Sequence, residues 1–184
     1  MSNQDLAFHY VCTWEDAKKI AGQRDRFWVE NCGCRERKEG GCSRSRKDLC
    51  LVFKGDIQAS GGSGRKEISR VELDEIFREA KEKHLVTRPF RNAENMTKTD
   101  GICFCCDDCC GYFLDPTEKC DTGIQIEKTE MDQCTHCGIC TEVCYFKARK
   151  MDDGKLGIQR ENCYGFGLCV QVCPEDCLQL VQRN

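Results

Sequence analysis

The chain is short of several residues that ordinarily organise a fold or a site. It has 3 prolines, 2 tryptophans and 3 histidines in 184 residues, which excludes a proline-rich linker protein and a histidine-dominated metal protein. No stretch approaches the roughly 18 apolar residues of a membrane helix. Met1-Ser2-Asn3-Gln4-Asp5-Leu6 has neither the basic start nor the apolar run of a secretory leader. The expectation is a cytoplasmic protein with no direct membrane insertion. Net charge is −3, too small to call for a polyanion, so no nucleic acid partner is expected. Hydrophobic content is 40%, but that figure counts every cysteine. Without the cysteines the apolar fraction is thin, and metal centres must supply part of the folding free energy.

What the chain has in abundance is thiol: 19 cysteines. Such density means disulfides or metal, and the compartment decides between them. A cytoplasmic setting keeps thiols reduced and available to metal, and an odd count argues against complete internal pairing.

Two regions are expected, 1–120 and 121–184. In the first, Thr13 reads as an N-cap answered by Asp16, and Phe27-Trp28-Val29-Glu30 as a short strand leading into Cys32. Ser60-Gly61-Gly62-Ser63-Gly64 is a flexible loop; it has neither Walker nor dinucleotide-fingerprint spacing, so no nucleotide site follows. Ser69-Arg70-Val71-Glu72 is a capping box, and Leu73, Ile76, Phe77 and Ala80 recur on one helical face. Leu85-Val86-Thr87 follows as a strand stopped by Pro89. A helix and strand could form a DNA reader, but the acids Glu72, Asp74, Glu75 and Glu79 on that helix would repel phosphate. The fold class is α+β.

The strongest signal is an internal repeat. Cys134, Cys137, Cys140 and Cys144 are spaced C-x2-C-x2-C-x3-C. An offset of 29 takes them to Cys163, Phe166, Cys169 and Cys173, and pairs Gly138 with Gly167 and Val143 with Val172. A fixed offset of this kind marks a duplicated supersecondary unit.

Over about 60 residues this portion resembles the bacterial-type two-cluster ferredoxins. The resemblance implies a pseudo-twofold, ferredoxin-like domain of two βαβ-like halves, with Ile124-Gln125-Ile126 and Leu178-Gln179-Leu180-Val181 as outer strands. In that family the fourth cysteine of each run crosses to the other cluster. The resemblance therefore implies Cys134, Cys137, Cys140 and Cys173 on a first [4Fe–4S] cluster, and leaves Cys144, Cys163 and Cys169 for a second. The chain departs from the pattern at three places. Phe166 stands where a ligand is needed, Tyr145 stands where proline is usual, and Cys177 falls 29 after Ala148. The second cluster is then a [3Fe–4S] cluster, a [4Fe–4S] cluster with one iron bound by water, a non-cysteine ligand, Cys177 or substrate, or it is lost. Cys177 is read as a buried alanine substitute ahead of a ligand.

The first region carries Cys32, Cys34, Cys42 and Cys50, then Cys103, Cys105, Cys106, Cys109 and Cys110. Two thiol groups separated by a loop and a helix are expected to share at least one metal centre. The pattern resembles cysteine-rich extensions fused ahead of ferredoxin modules in anaerobe proteins, which implies further iron–sulfur clusters. Zinc competes with that reading, since four-cysteine sites also form structural knuckles. Cys109-Cys110-Gly111 is similar to the CCG motif of heterodisulfide-reductase-type noncubane clusters, but the rest of that motif is not evident. Cys12 and Cys120 are expected to be packing residues, and His136 to face solvent near the first cluster. Arg35, Arg37, Lys38, Arg44, Arg46 and Lys47 crowd the Cys32–Cys50 loop, as a solvated face ahead of a dock for an acidic partner or a positive patch that raises a nearby cluster's potential.

Function is expected to be single-electron transfer between a redox protein partner and a larger oxidoreductase complex. Catalysis or substrate binding at an open iron, and a metal-stabilised redox-sensing or interaction protein, are the alternatives.

Overall fold

The structure is a computed structural model, and it describes residues 6–55, 62–115 and 117–183. Residues 1–5, inspected for a leader, and Ser60 and Gly61 of the expected loop lie outside the described residues. The chain is a mixed α/β protein of two compact units, which divide between Asp121 and Thr122. No described helix is long and apolar enough to cross a membrane.

The first unit opens with β1 (His9–Tyr10), α1 (Trp14–Gly22), β2 (Phe27–Glu30) and the short helix α2 (Gly33–Arg37). It continues through β3 (Cys50–Val52), β4 (Lys66–Ile68), α3 (Arg70–Glu82), β5 (Val86–Arg91), β6 (Thr99–Cys105), α4 (Gly111–Leu114) and β7 (Cys120–Asp121). The strands form one sheet in the order β4-β2-β3-β6-β5-β1-β7, antiparallel except where β1 meets β7. Thr13 caps α1 by accepting the Asp16 N–H at 3.1 Å. In α3 the capping box is complete: Ser69 accepts from the Glu72 N–H, and Glu72 accepts from the Ser69 N–H at 2.8 Å. The helix buries Leu73, Ile76, Phe77 and Ala80, the face its spacing predicts.

One core cluster joins these residues to Ala17 and Ala21 of α1 and to Leu51, Ile102 and Phe104 of the sheet. It is fuller than the composition predicts, because buried aromatics carry much of it. Phe77 meets Phe104 edge-on at 5.4 Å and Trp14 at 5.9 Å. The strand expected to stop at Pro89 runs on to Arg91. Bonds from Cys12 N–H to Thr87 and from Arg91 N–H to Phe8 bracket the proline. Its missing donor therefore faces the short strand β1 and forgoes a single ladder bond.

In the second unit, β8 (Gln125–Thr129) pairs antiparallel with β11 (Leu178–Gln182), and β9 (Arg149–Asp152) with β10 (Lys155–Ile158). The sequence repeat reappears in the backbone. Short helices α5 (Ile139–Glu142) and α6 (Leu168–Gln171) stand at the same offset as the cysteine runs, as do 3-10 turns at Met131–Gln133 and Arg160–Asn162. Positive φ angles recur too: 56° at His136 and 76° at Gly165, 80° at Gly138 and 83° at Gly167, 58° at Lys147 and 49° at Asp176.

Candidate metal centres

In the second unit Cys134, Cys137, Cys140 and Cys173 line one small cavity of about 20 Å³, together with Leu156, Pro174 and Cys177. Cys140 is buried and Cys137 is exposed. Buried Arg149 donates from Nη1 toward Cys140 Sγ at 3.6 Å. Its other nitrogen reaches Thr129 Oγ1 at 2.7 Å and the Glu127 carboxylate, which also takes Arg160 Nε at 2.8 Å. A positive charge is thus fixed beside the thiols by a carboxylate that is itself buried. His136 is half-buried rather than solvent-facing, because its Nδ1 accepts the Leu156 N–H at 3.0 Å. Cys177 packs against Cys173 (Sγ–Sγ 3.6 Å) and also neighbours Cys134. This puts it at the first thiol group, not the second.

Cys144 and Cys163 pack with Ala148 and Ile126, and Cys169 interacts with both thiols. Burial pushes the Cys169 thiol up to about 12, so ionisation at neutral pH requires a metal to displace the proton. Phe166 has the backbone setting of Cys137, flanked in the same way by positive φ angles. Its ring is buried against Phe146 at 5.3 Å, and Phe146 stacks on Tyr164 at 3.9 Å.

In the first unit the nine candidate thiols fall into two sets. Successive strand side chains alternate between faces, so Cys103 and Cys105 share one face of β6 while Ile102 and Phe104 enter the core. Cys50 stands opposite on β3, its Sγ 4.0 Å from that of Cys103. The turn into α2 adds Cys32 and Cys34, and the residue before α4 adds Cys110. Contacts run Cys32–Cys34, Cys34–Cys110, Cys110–Cys105, Cys105–Cys103, Cys103–Cys50 and Cys50–Cys32, which closes a ring of six. A cavity of about 130 Å³ opens beside this ring, lined also by His9, Arg35 and Arg88. Cys42, Cys106 and Cys109 form the other set.

Of the charges around these thiols, sequence reasoning named Arg35 within the basic loop and missed Arg88. Arg88 Nη1 lies 3.1 Å from Cys110 Sγ. Arg35 is 1% exposed and gives one bond, to the Phe104 carbonyl at 2.8 Å. Its Nε and Nη1, and Nε of Arg88, are buried without hydrogen-bond partners among the described residues. Buried guanidinium groups short of acceptors fit an anionic metal–thiolate centre. Burial lowers His9 to about 4, with Arg88 adding to the effect, so its imidazole is neutral at pH 7. The signal for Arg35 was its place directly after Cys34. Arg88 has no cysteine near it in sequence. The basic loop is largely consumed internally: Lys38 pairs with Asp108, Arg44 with Asp107, and Arg46 with Asp48 and Glu79. Cys12 is a buried packing residue, and burial pushes its thiol up to about 12.

Residues 133–177 match the family model described as a 4Fe-4S dicluster domain. The C-terminal unit therefore carries a ferredoxin-type 4Fe–4S segment, with many cysteines upstream of it. A comparison with curated proteins gives no match. The match supports an iron–sulfur electron-transfer role, and the thiols around the Arg149 cavity fit the 4Fe–4S group that it implies.

Proposed function

We propose that this protein passes single electrons between a redox partner protein and a larger oxidoreductase complex. The observation that carries the reading is the gathering of Cys134, Cys137, Cys140 and Cys173 around one cavity inside the segment that matches the dicluster family. Those four thiolates would hold a [4Fe–4S] cluster, and Cys144, Cys163 and Cys169 a second cluster in the other half of a pseudo-twofold domain. A bound cluster supplies one-electron redox chemistry with little rearrangement. The protein's part is to exclude water, supply positive charge through Arg149, and bring one ligand, exposed Cys137, to the surface where a partner can approach. Buried Phe166, at the repeat position of Cys137, would cover the fourth corner of the second group with an apolar ring, which favours a [3Fe–4S] cluster over a water-bound iron and so speaks for electron transfer over catalysis. The six-thiol ring, with Arg88 and Arg35 beside it, suits an additional iron–sulfur cluster.

Cys137→Ser tests the assignment. It should remove or damage one reducible cluster, read by iron content and by EPR of the reduced protein. Normal iron with an unchanged spectrum would refute the ligand set.

A further inference from the structure

The two thiol sets of the first unit are built from different faces of the fold, although Cys109 also lines the cavity beside the ring. The ring of six draws on the face of β6 that carries Cys103 and Cys105. Cys106 and Cys109, just past the end of that strand, belong instead to the apolar core cluster with Leu49, Phe77 and Phe104, and Cys42 packs against that cluster. We propose that Cys42, Cys106 and Cys109 form a separate site for a single zinc ion, distinct from the ring.

Distance is the first argument. Thiolates bound tetrahedrally to one zinc at about 2.3 Å stand about 3.8 Å apart. Cys106 Sγ lies 3.5 Å from both Cys42 Sγ and Cys109 Sγ, and all three sulfurs lie within 4.8 Å of one another. This is the one triple of that kind found among the described residues. Thiolates on different irons of a cubane are held further apart, because an iron–iron separation and two splayed Fe–S bonds lie between them. A closed triangle of sulfurs this close suits one ion.

The site is also built. Cys42 comes from a stretch between α2 and β3 with no helix or strand of its own. Three ties hold that stretch onto the two residues between Cys106 and Cys109. Lys38 Nζ pairs with Asp108 at 2.5 Å, the Ser43 N–H donates to Asp108 Oδ2 at 2.9 Å, and Arg44 Nε meets Asp107 Oδ1 at 2.7 Å. Charge favours the site as well: three thiolates and a divalent ion leave one negative charge, and buried Arg35, which contacts Cys42 and also neighbours the ring thiols, lies beside it. No fourth ligand atom joins the group among the described residues, so a light atom from solvent completes the shell.

The test uses the full chain purified anaerobically, with metal content by mass spectrometry and zinc-edge X-ray absorption. The expected result is about one zinc per chain in a shell of three sulfurs at about 2.3 Å and one light atom. Cys106→Ser should lose that zinc and keep its iron, while Cys105→Ser, in the ring, should lose iron and keep zinc. Absence of zinc, a four-sulfur shell, equal zinc loss in both variants, or a Cys106–Cys109 disulfide in a non-reducing peptide map would each overturn the proposal. Should Cys106→Ser fail to fold, the absorption spectrum of the parent protein decides alone.

Discussion

Arg149 is held by Glu127 and Thr129 so that its guanidinium lies 3.6 Å from Cys140 Sγ. A fixed positive charge stabilises the more negative, reduced form of a cluster bound there. Arg149→Gln should therefore lower the potential of the first cluster in an EPR-monitored titration. Loss of one charge-assisted hydrogen bond, about 1 kcal/mol, corresponds to a fall on the order of 40 mV for one electron. Phe166 supports a second prediction, because residues 165–167 repeat the backbone of 136–138. Phe166→Cys should aim a thiolate at the vacant corner, raise iron content by about one atom per chain and change the EPR signature to that of a four-iron centre. Identical spectra would show that residue 166 does not face the cluster. At this scale the thiols were legible in the sequence because metal chemistry fixes their spacing. Arg149 and Arg88 were not, since they meet their thiols 9 and 22 residues away in the chain, separations that no ligand spacing marks.

The helix α3 was legible almost residue by residue: a local capping box and a local apolar stripe need no tertiary information. Among the strands, Phe27–Glu30 was legible to the residue and Leu178–Gln182 to within one, but β5 was not. β5 passes through Pro89 because its neighbour on that side is short, a fact that belongs to sheet order and not to local propensity. The composition likewise hid Gly101. A Cβ there would lie 2.2 Å from the Leu51 carbonyl oxygen and 2.4 Å from the Phe90 ring. Gly101→Ala must spread β3 from β6 or displace Phe90, at about 1–3 kcal/mol. Because β6 also carries Cys103 and Cys105, the variant should show a lower thermal midpoint together with reduced metal content in the first unit. An unchanged midpoint would mean that the sheet absorbs the methyl without moving its thiols.

The whole molecule divides by what fills its interior. In the first unit Phe27, Leu51, Phe77, Ile102 and Phe104 are buried in a core made mainly of apolar side chains. In the second, the buried cluster is Cys144, Cys163 and Ala148 with Ile126 beside them. Stripping metal should thus unfold the second unit, while amides of α3, β5 and β6 stay protected in hydrogen exchange. Equal loss of protection in both units would show that the first also depends on metal for its core. The order of the sheet, β4-β2-β3-β6-β5-β1-β7, sets one more constraint, on how the protein is made. Nearly the last strand to be synthesised sits in the middle, so β4-β2-β3 and β5-β1 remain separate ribbons until residues 99–105 leave the ribosome. The same segment and the few residues after it bring five of the nine candidate ligand thiols of the first unit. Sheet closure and metal insertion must then keep the same clock, and iron delivered to a shorter nascent chain would find neither a sheet nor a complete set of ligands.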